Sequence, residues 1–175
     1  FWSLMVLWVM AAIAYNSMQP AMTTLIADRF APETRGGVSG IVGAGMTADA
    51  HHIAQPDPEG KGAARAIRAA LEQADASPQD VPHINAHATS TPQGDVAEAV
   101  AIRAAMGSSQ PLVTGTKSMT GHMLGAAGAV EGIYTVLALH HRLVPATLNL
   151  HHQDPEVDLD VVHGAPRELP SGDLL

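Results

Sequence analysis

Two histidines stand in sequence contexts where an imidazole could take part in chemistry. His87 lies in a run of hydrogen-bonding side chains between Asn85 and Thr91, and His122 opens a stretch rich in glycine and alanine. A neutral imidazole donates one N–H hydrogen bond, and a helix amino terminus favours negative charge, so such groups can stabilise a developing oxyanion. Two donors of this kind predict a site that stabilises an enolate.

Both histidines follow segments that are predicted to be buried strands. The apolar run 81–86 leads into the His87 loop, and the run 111–116 leads into the segment 117–122. An Ala-rich helical pattern follows each loop, which is typical of α/β units that present side chains at the carboxyl edge of a sheet. Two such units in tandem are expected to bring the two imidazoles together, and the predicted fold class is α/β.

The remaining elements are predicted from apolar periodicity and from punctuating residues. Helices are predicted over 60–75, 96–106 and 124–140, and extended segments over 143–150 and 157–162. Asp95 and Glu98 have the form of a capping box at the start of the second helix. The third helix is strongly apolar with many small residues, so it is expected in the middle of the fold, and no closing element is predicted after Gly164.

Composition excludes several classes of function. The 9 Lys and Arg residues against 17 Asp and Glu residues give a formal net charge of -8, without the clustered cations that a nucleic-acid surface needs. The chain contains no cysteine, so it can supply no disulfide, thiolate metal site or thiol nucleophile. Its length suits one ordinary domain with a core of its own.

The chain's ten histidines predict no metal site. Six of them form adjacent pairs, whose members cannot both point one way from a strand. The His-Glu-x-x-His spacing of zinc enzymes is absent, and so are cysteine ligands.

The amino-terminal part differs from the rest in composition. Residues 1–14 are almost continuously apolar, and the uncharged run extends to Ala27, which favours a membrane-spanning or membrane-contacting helix over a buried core helix. The segment 27–40, with its acidic residue, proline and Arg-Gly pair, resembles the short cytoplasmic loop of major facilitator transporters. The sequence therefore predicts a hydrophobic, transporter-like segment over 1–40 and a separate domain over 41–175.

A second and more specific resemblance covers about 41–175. The run Asn-Ala-His-Ala-Thr-Ser-Thr-Pro at 85–92, and the run from Thr116 through His122 to Glu131, resemble the type II beta-ketoacyl-acyl carrier protein synthases. The resemblance continues through 144–150 and 158–160. It implies the carboxyl-terminal half of a thiolase-like layered fold, truncated at its end, in a cytoplasmic enzyme that is usually a homodimer.

The resemblance also implies a reaction and roles for single residues. In that family a cysteine of the other half is acylated, and decarboxylation of a malonyl-carrier thioester supplies the carbanion that attacks it. His87 and His122 match the two catalytic histidines, Lys117 matches the active-site lysine, and Glu131 matches the glutamate that interacts with it. Taken singly, Lys117 and Glu131 could equally form a plain buried ion pair.

The substrate-carrying group is implied by the same resemblance. Thr89 and Thr91 match threonines that hold the phosphopantetheine arm of acyl carrier protein, although threonines in such a loop also serve as turn formers. No bound cofactor is implied. Ala88 replaces the glycine commonest in the family, so a positive φ at this position would cost roughly 1 kcal/mol.

The expected function is that of an acyltransferase fragment of fatty acid or polyketide synthesis, inactive alone because the nucleophilic cysteine is missing. Its expected partners are acyl carrier protein and an amino-terminal synthase half or a homodimer partner. Two alternatives are a membrane-anchored, transporter-derived remnant and a noncatalytic synthase-like partner subunit. A half fold would also expose apolar faces, which predicts aggregation or a molten state.

Overall fold

The computed structural model describes residues 45–52 and 55–169, together with the strand backbones at 23–26 and 41–44. The described elements alternate between strands and helices, which confirms the predicted α/β class. In chain order they are β1 (Thr23–Ile26), β2 (Ile41–Gly45), α1 (Lys61–Gln73), a 3₁₀ turn (Pro78–Asp80), β3 (His83–Asn85), α2 (Pro92–Met106), β4 (Leu112–Thr114), α3 (Lys117–Thr120), a second 3₁₀ turn (Leu124–Ala126), α4 (Ala127–His141), β5 (Leu143–Val144), β6 (Asp160–Val161) and β7 (Arg167–Glu168).

The central sheet contains three parallel strands in the order β3-β4-β6. His83 is opposite Leu112, and Asn85 is opposite Thr114, so β3 and β4 end at the same level. Helix α2 makes the crossover between these two parallel strands, since parallel pairing excludes a tight hairpin. The chain segments that leave β3 and β4 therefore emerge side by side at one edge of the sheet.

The prediction that nothing closes the chain after Gly164 is wrong. Strand β7 pairs antiparallel with β5, with Leu143 opposite Glu168. Arg167 also donates two hydrogen bonds, of 2.6 and 2.8 Å, to the carboxylate of Asp160 on β6. Two-residue strands are too short to show a period of two, so the sequence pattern could not reveal this pairing.

Helix α2 begins earlier than predicted, and the predicted capping box at Asp95 and Glu98 is wrong. Thr91 is the N-cap and Pro92 is the first helical residue. Proline suits this position because its fixed φ is helical and its missing N–H would be unpaired in any case. Asp95 instead accepts a hydrogen bond from the Thr91 N–H at 3.3 Å, and Glu98 reaches the loop after β3.

Helix α4 is shorter than the predicted helix over 124–140 and is not enclosed. The 3₁₀ turn precedes it, and α4 itself begins at Ala127. Ala129 and Ala138 are buried, but Ile133 is 43% exposed and Leu137 is 44% exposed. These two residues stand one helical turn apart, so α4 presents an apolar stripe that the described residues leave open.

The predicted amino-terminal helix lies mostly outside the described residues. Within that range, Thr23–Ile26 is a strand, paired antiparallel with Ile41–Gly45, which corrects the helix prediction for these four residues. Among the described helices, none combines the length and the apolar character that a bilayer crossing requires.

Two apolar clusters stabilise the described domain. The first lies between α1 and α2, and its buried members are Ile67, Leu71, Val81, Ile102, Ala105 and Met106. The second joins the sheet to the carboxyl-terminal strands through Leu112, Val144, Ala146, Val162 and Leu169. Ile84 of β3 packs against the first cluster and Leu112 of β4 belongs to the second, so each of these two strands is packed against an apolar core.

His83 is an unusual member of this interior. It is only 6% exposed, and neither of its ring nitrogens has a hydrogen-bond partner. Burial lowers the pKa of His83 from 6.5 to about 4. The folded protein therefore holds this imidazole neutral, whereas the unfolded chain binds a proton as soon as the pH falls below 6.5.

Replacing His83 by leucine is expected to remove an acid-sensitive loss of stability. The contribution of His83 is constant above pH 6.5 and is lost as the pH falls toward about 4, by about 3 kcal/mol in total. Urea unfolding at pH 7 and pH 4.5 should therefore show a smaller difference for His83→Leu than for the parent chain. His83→Gln is the control, because it also removes the titration but leaves an unpaired amide and lowers stability at both pH values. An unchanged acid dependence in both variants would contradict this account.

Candidate active site

The loops after β3 and β4 form the site, and hydrogen bonds tie the second loop to a neighbouring segment. The Gly115 N–H donates to Oγ1 of Thr147 at 3.0 Å, and the Leu148 N–H donates to Oγ of Ser118 at 2.9 Å. His87 follows β3 after one intervening residue, Ala86, close to the predicted position. His122 does not directly follow β4, because the one-turn helix α3 intervenes.

The imidazoles of His87 and His122 are in contact. Their ring centroids are 5.3 Å apart, and the rings are nearly perpendicular at 89°. His87 as a whole residue is exposed, but partial desolvation of its ring lowers the pKa to about 4, and the charge of Lys117 and the neighbouring His122 add to this effect. His87 is therefore neutral at pH 7 and can donate a single N–H hydrogen bond.

The backbone around Leu124 assigns the proton of His122. The Leu124 N–H donates to Nδ1 of His122 at 3.2 Å, so Nδ1 is an acceptor and the neutral ring carries its proton on Nε2. Leu124 has a φ of 50° and is 75% exposed, an unfavourable conformation for a leucine. His122 thus precedes a strained turn, and not the first turn of a helix as predicted.

Lys117 and Glu131 form a buried ion pair close to the histidines. Only 4% of the Lys117 side chain and 15% of the Glu131 side chain are exposed. Burial raises the pKa of Glu131, and the hydrogen bond and charge of Lys117 oppose that rise. The pair joins α3 to α4, and it brings a positive charge close enough to His87 to lower the pKa of that imidazole.

The His87 loop contains two residues in the left-handed region. Ala88 has a φ of 37°, so this alanine occupies a position that needs a positive φ, where the resemblance described above implies a glycine. Ser90 has a φ of 62°. Such strain persists only where the surrounding structure holds the chain in place.

Glu98 supplies part of that restraint, a role that the sequence interpretation missed. Its carboxylate accepts hydrogen bonds from the N–H groups of His87 and Ala88, at 2.7 and 2.8 Å. Burial raises the pKa of Glu98, and these two backbone hydrogen bonds oppose the rise. The sequence shows Glu98 near the start of a helix that follows the loop, a position that also suits a capping box, so the sequence pattern alone does not separate the two roles.

Thr89 and Thr91 lie together in the same loop. Their hydroxyl oxygens are 3.2 Å apart, and Thr91 is exposed. A side chain at Gly94 would place its Cβ 2.3 Å from Oγ1 of Thr91, so a glycine is required for this pair to keep its position.

Within the described part of the chain, no group of three or more His, Cys, Asp or Glu residues is arranged to hold a metal ion.

Gly115 and Ala88 are expected to be energetically coupled. A Cβ at Gly115 would lie 2.9 Å from the Cβ of Ala88, so Gly115→Ala is expected to destabilise the fold by about 1–3 kcal/mol. Ala88→Gly removes both the contact and the strained φ, and should recover most of that loss in the double variant. Thermal unfolding of the four chains measures the coupling. Ala86→Gly, at a buried position outside the left-handed region, is the control and should only destabilise. Additive effects of the two substitutions would contradict the coupling.

Breaking the buried ion pair is expected to cost more than removing it. Lys117→Met or Glu131→Leu alone leaves an uncompensated charge, with an expected loss of about 3–5 kcal/mol, and the double variant should be more stable than either single one. Urea midpoints measure this order. The exposed Lys61–Glu59 pair provides the control, since Lys61→Met should leave the midpoint nearly unchanged. A double variant as unstable as the sum of the two losses would overturn this interpretation.

Comparisons with known proteins agree with this geometry. Residues 38–151 match the family model for the beta-ketoacyl synthase C-terminal domain. The chain is 52% identical over 127 residues to 3-oxoacyl-[acyl-carrier-protein] synthase 2 of Mycobacterium tuberculosis, a match that covers 73% of this chain and 30% of the relative. It therefore spans less than a third of the length of this curated relative. Nothing in the comparisons supports a transporter segment over 1–40.

Solved structures lead to the same family. A beta-ketoacyl synthase from Burkholderia phymatum superimposes with a TM-score of 0.69 at 36% identity, over 78% of this chain and 34% of that one. A type II polyketide synthase acyl-carrier protein in complex with its ketosynthase gives a TM-score of 0.68 at 34% identity, over 79% and 35%. The chain therefore belongs to the beta-ketoacyl synthase family, and it carries that family's C-terminal domain in a thiolase-like α/β fold.

Proposed function

We propose that this chain supplies the histidine and lysine side of a condensing-enzyme active site, in which a malonyl thioester loses CO₂ and attacks an acyl thioester. The observation that carries the proposal is the contact between His87 and His122 beside the Lys117–Glu131 ion pair. Isolated histidines at a sheet edge would carry little weight, but two imidazoles in contact beside one buried cation match the needs of an enolate.

The chemistry follows from the protonation states. When the malonyl carboxylate leaves as CO₂, the electron pair of the broken C–C bond moves into the thioester and places negative charge on its oxygen. Nε2–H of His122 and the single N–H of neutral His87 can donate to that oxygen without giving up their protons. The enolate carbon then attacks the acyl thioester, a C–C bond forms, and the thiolate of the acylated cysteine leaves.

That cysteine must come from outside these residues, because the 175-residue sequence contains none. Condensation by the chain alone is therefore not expected. The curated relative covers the same domain in only 30% of its length, which leaves most of a synthase to provide the nucleophile. In the proposal, Lys117 adds positive charge behind the histidines, and Glu131 holds Lys117 in place.

The proposed substrate carrier is the phosphopantetheine arm of an acyl carrier protein. Thr89 and Thr91 support this part of the proposal, because their paired hydroxyls lie on the exposed side of the His87 loop and can hydrogen-bond to an amide-containing arm. One of the structurally similar proteins was solved as an acyl-carrier protein in complex with its ketosynthase.

The open stripe of α4 supports a larger assembly. Ile133 and Leu137 are nearly half exposed, although the helix that carries them is apolar. In the proposal, the cysteine-bearing part of the synthase covers this stripe and so places its nucleophile near the histidines. The chain by itself is then expected to aggregate through this surface.

The test is reconstitution with a separately expressed, cysteine-bearing half of a related synthase. The mixture is expected to release CO₂ from malonyl-acyl carrier protein, and His87→Ala or His122→Ala should slow the release by about 10²–10³-fold. His151→Ala, at an exposed histidine outside the site, is the matched control and should retain the rate. Absence of CO₂ release from a folded complex, or full activity of both histidine variants, would refute the proposal.

A noncatalytic partner subunit is the second candidate, and it is favoured by a structural relative of 35% identity that was solved as a ketosynthase in complex with its chain length factor. The same reconstitution separates the two roles when the added chain is a complete, cysteine-bearing ketosynthase. A noncatalytic subunit would bind the ketosynthase and alter its products, while His87→Ala and His122→Ala left the rate of product formation unchanged.

A further inference from the structure

The side-chain amide of Asn85 connects three segments of the site. Its Oδ1 accepts a hydrogen bond from Oγ1 of Thr116 at 3.0 Å, and its Nδ2 donates to the backbone carbonyl oxygen of Glu131 at 3.1 Å. Thr116 is fully buried. One amide therefore joins the end of β3 to the start of α3 and to the second turn of α4.

These two partners are the residues that carry the ion pair. Thr116 directly precedes Lys117, and Glu131 is itself the acidic member. Asn85 also lies two residues before His87 in the chain. The Asn85 amide thus hydrogen-bonds next to Lys117 and to Glu131 itself, and it links the position of this pair to the strand that leads to His87.

An amide is the side chain of this size that meets both demands. The hydroxyl of Thr116 needs an acceptor, and the carbonyl of Glu131, which also accepts from Oγ1 of Thr135 at 2.8 Å, takes the amide as a further donor. Aspartate would turn an acceptor toward the carbonyl, and leucine would leave the buried Thr116 hydroxyl without its acceptor and remove one of the donors to the Glu131 carbonyl. Serine is too short to reach both.

We propose that Asn85 is a positioning residue, which fixes the distance between the Lys117–Glu131 pair and the His87 imidazole. Its importance for catalysis depends on the proposed function, but its effect on geometry does not. Without the amide, α3 and α4 lose their shared hydrogen-bonded link to β3, and Lys117 is held less firmly near His87.

The titration of His87 reports this distance. The charged and titratable groups that act on it are Lys117 and His122, and the Glu98 carboxylate binds its backbone N–H. Burial and the charge of Lys117 both lower the pKa of His87 to about 4. Looser packing and a more distant Lys117 would both let this pKa return toward 6.5.

The experiment follows the His87 imidazole by NMR across pH in the full chain, or in the complex with the cysteine-bearing half if the chain alone aggregates. Asn85→Ser and Thr116→Val remove the two ends of one hydrogen bond, and each is expected to raise the pKa of His87. Their double variant should raise it no further than the larger single effect. Val113→Ala is the matched control, because it destabilises the same strand pair without touching the amide network.

Two results would overturn the inference. One is an unchanged His87 titration in Asn85→Ser and Thr116→Val, with only a lower melting temperature. The other is an equal rise in Val113→Ala, which would show that general loosening is sufficient. Both readings are independent of CO₂ release, so a failure of the proposed function leaves this test intact. In an active complex, Asn85→Ser is further expected to lower kcat with little change in KM.

Discussion

The parallel pairing of β3 with β4 determines where every group of the site can lie. Asn85 and Thr114 are opposite each other, so the two strands end together and release their loops at the same edge. From there His87 has only a short loop to follow, whereas His122 is reached through the turn of α3. A shift of one residue in this register would move Asn85 away from Thr116 and separate the histidines. The register of this one strand pair therefore determines where both loops begin, and the loops place the side chains only from that starting point.

Backbone strain is the second constraint, and polar side chains balance it. Ala88, Ser90 and Leu124 all adopt positive φ values, each at an energetic cost for a residue with a Cβ. The carboxylate of Glu98 holds the first loop through two backbone hydrogen bonds, and the ring of His122 accepts the N–H of the strained Leu124. The second case also assigns the tautomer of His122, so the same hydrogen bond restrains the backbone and fixes which ring nitrogen carries the proton when the ring is neutral.

Much of this arrangement could be predicted from sequence because its signals are local. The apolar runs before His87 and His122 indicated β3 and β4, and the order of residues from Asn85 to Glu131 indicated the family. The start of α2 was missed because an Asp-x-x-Glu pattern was interpreted as a cap, while Glu98 binds the loop instead.

Other features have no local signal. The pairing of β5 with β7 joins residues far apart in sequence through strands too short for periodicity. The exposure of Ile133 depends on what packs against α4, and an apolar pattern does not reveal whether the covering surface belongs to the same polypeptide. The role of Asn85 likewise depends on two partners from distant segments. A polar side chain at the end of an apolar strand indicates a hydrogen-bonding role but does not identify the partners.

The burial of Lys117 has a practical consequence for chemical labelling. The sequence contains two lysines, and they differ sharply in environment: the side chain of Lys61 is 66% exposed, whereas that of Lys117 is 4% exposed. An amine-selective acylating reagent should therefore modify Lys61 readily and reach Lys117 only when the interior opens. The amount of labelled Lys117 peptide relative to labelled Lys61 peptide, measured by mass spectrometry, would report how often the site opens. Labelling of the buried Lys117 amine would therefore report local unfolding around the site.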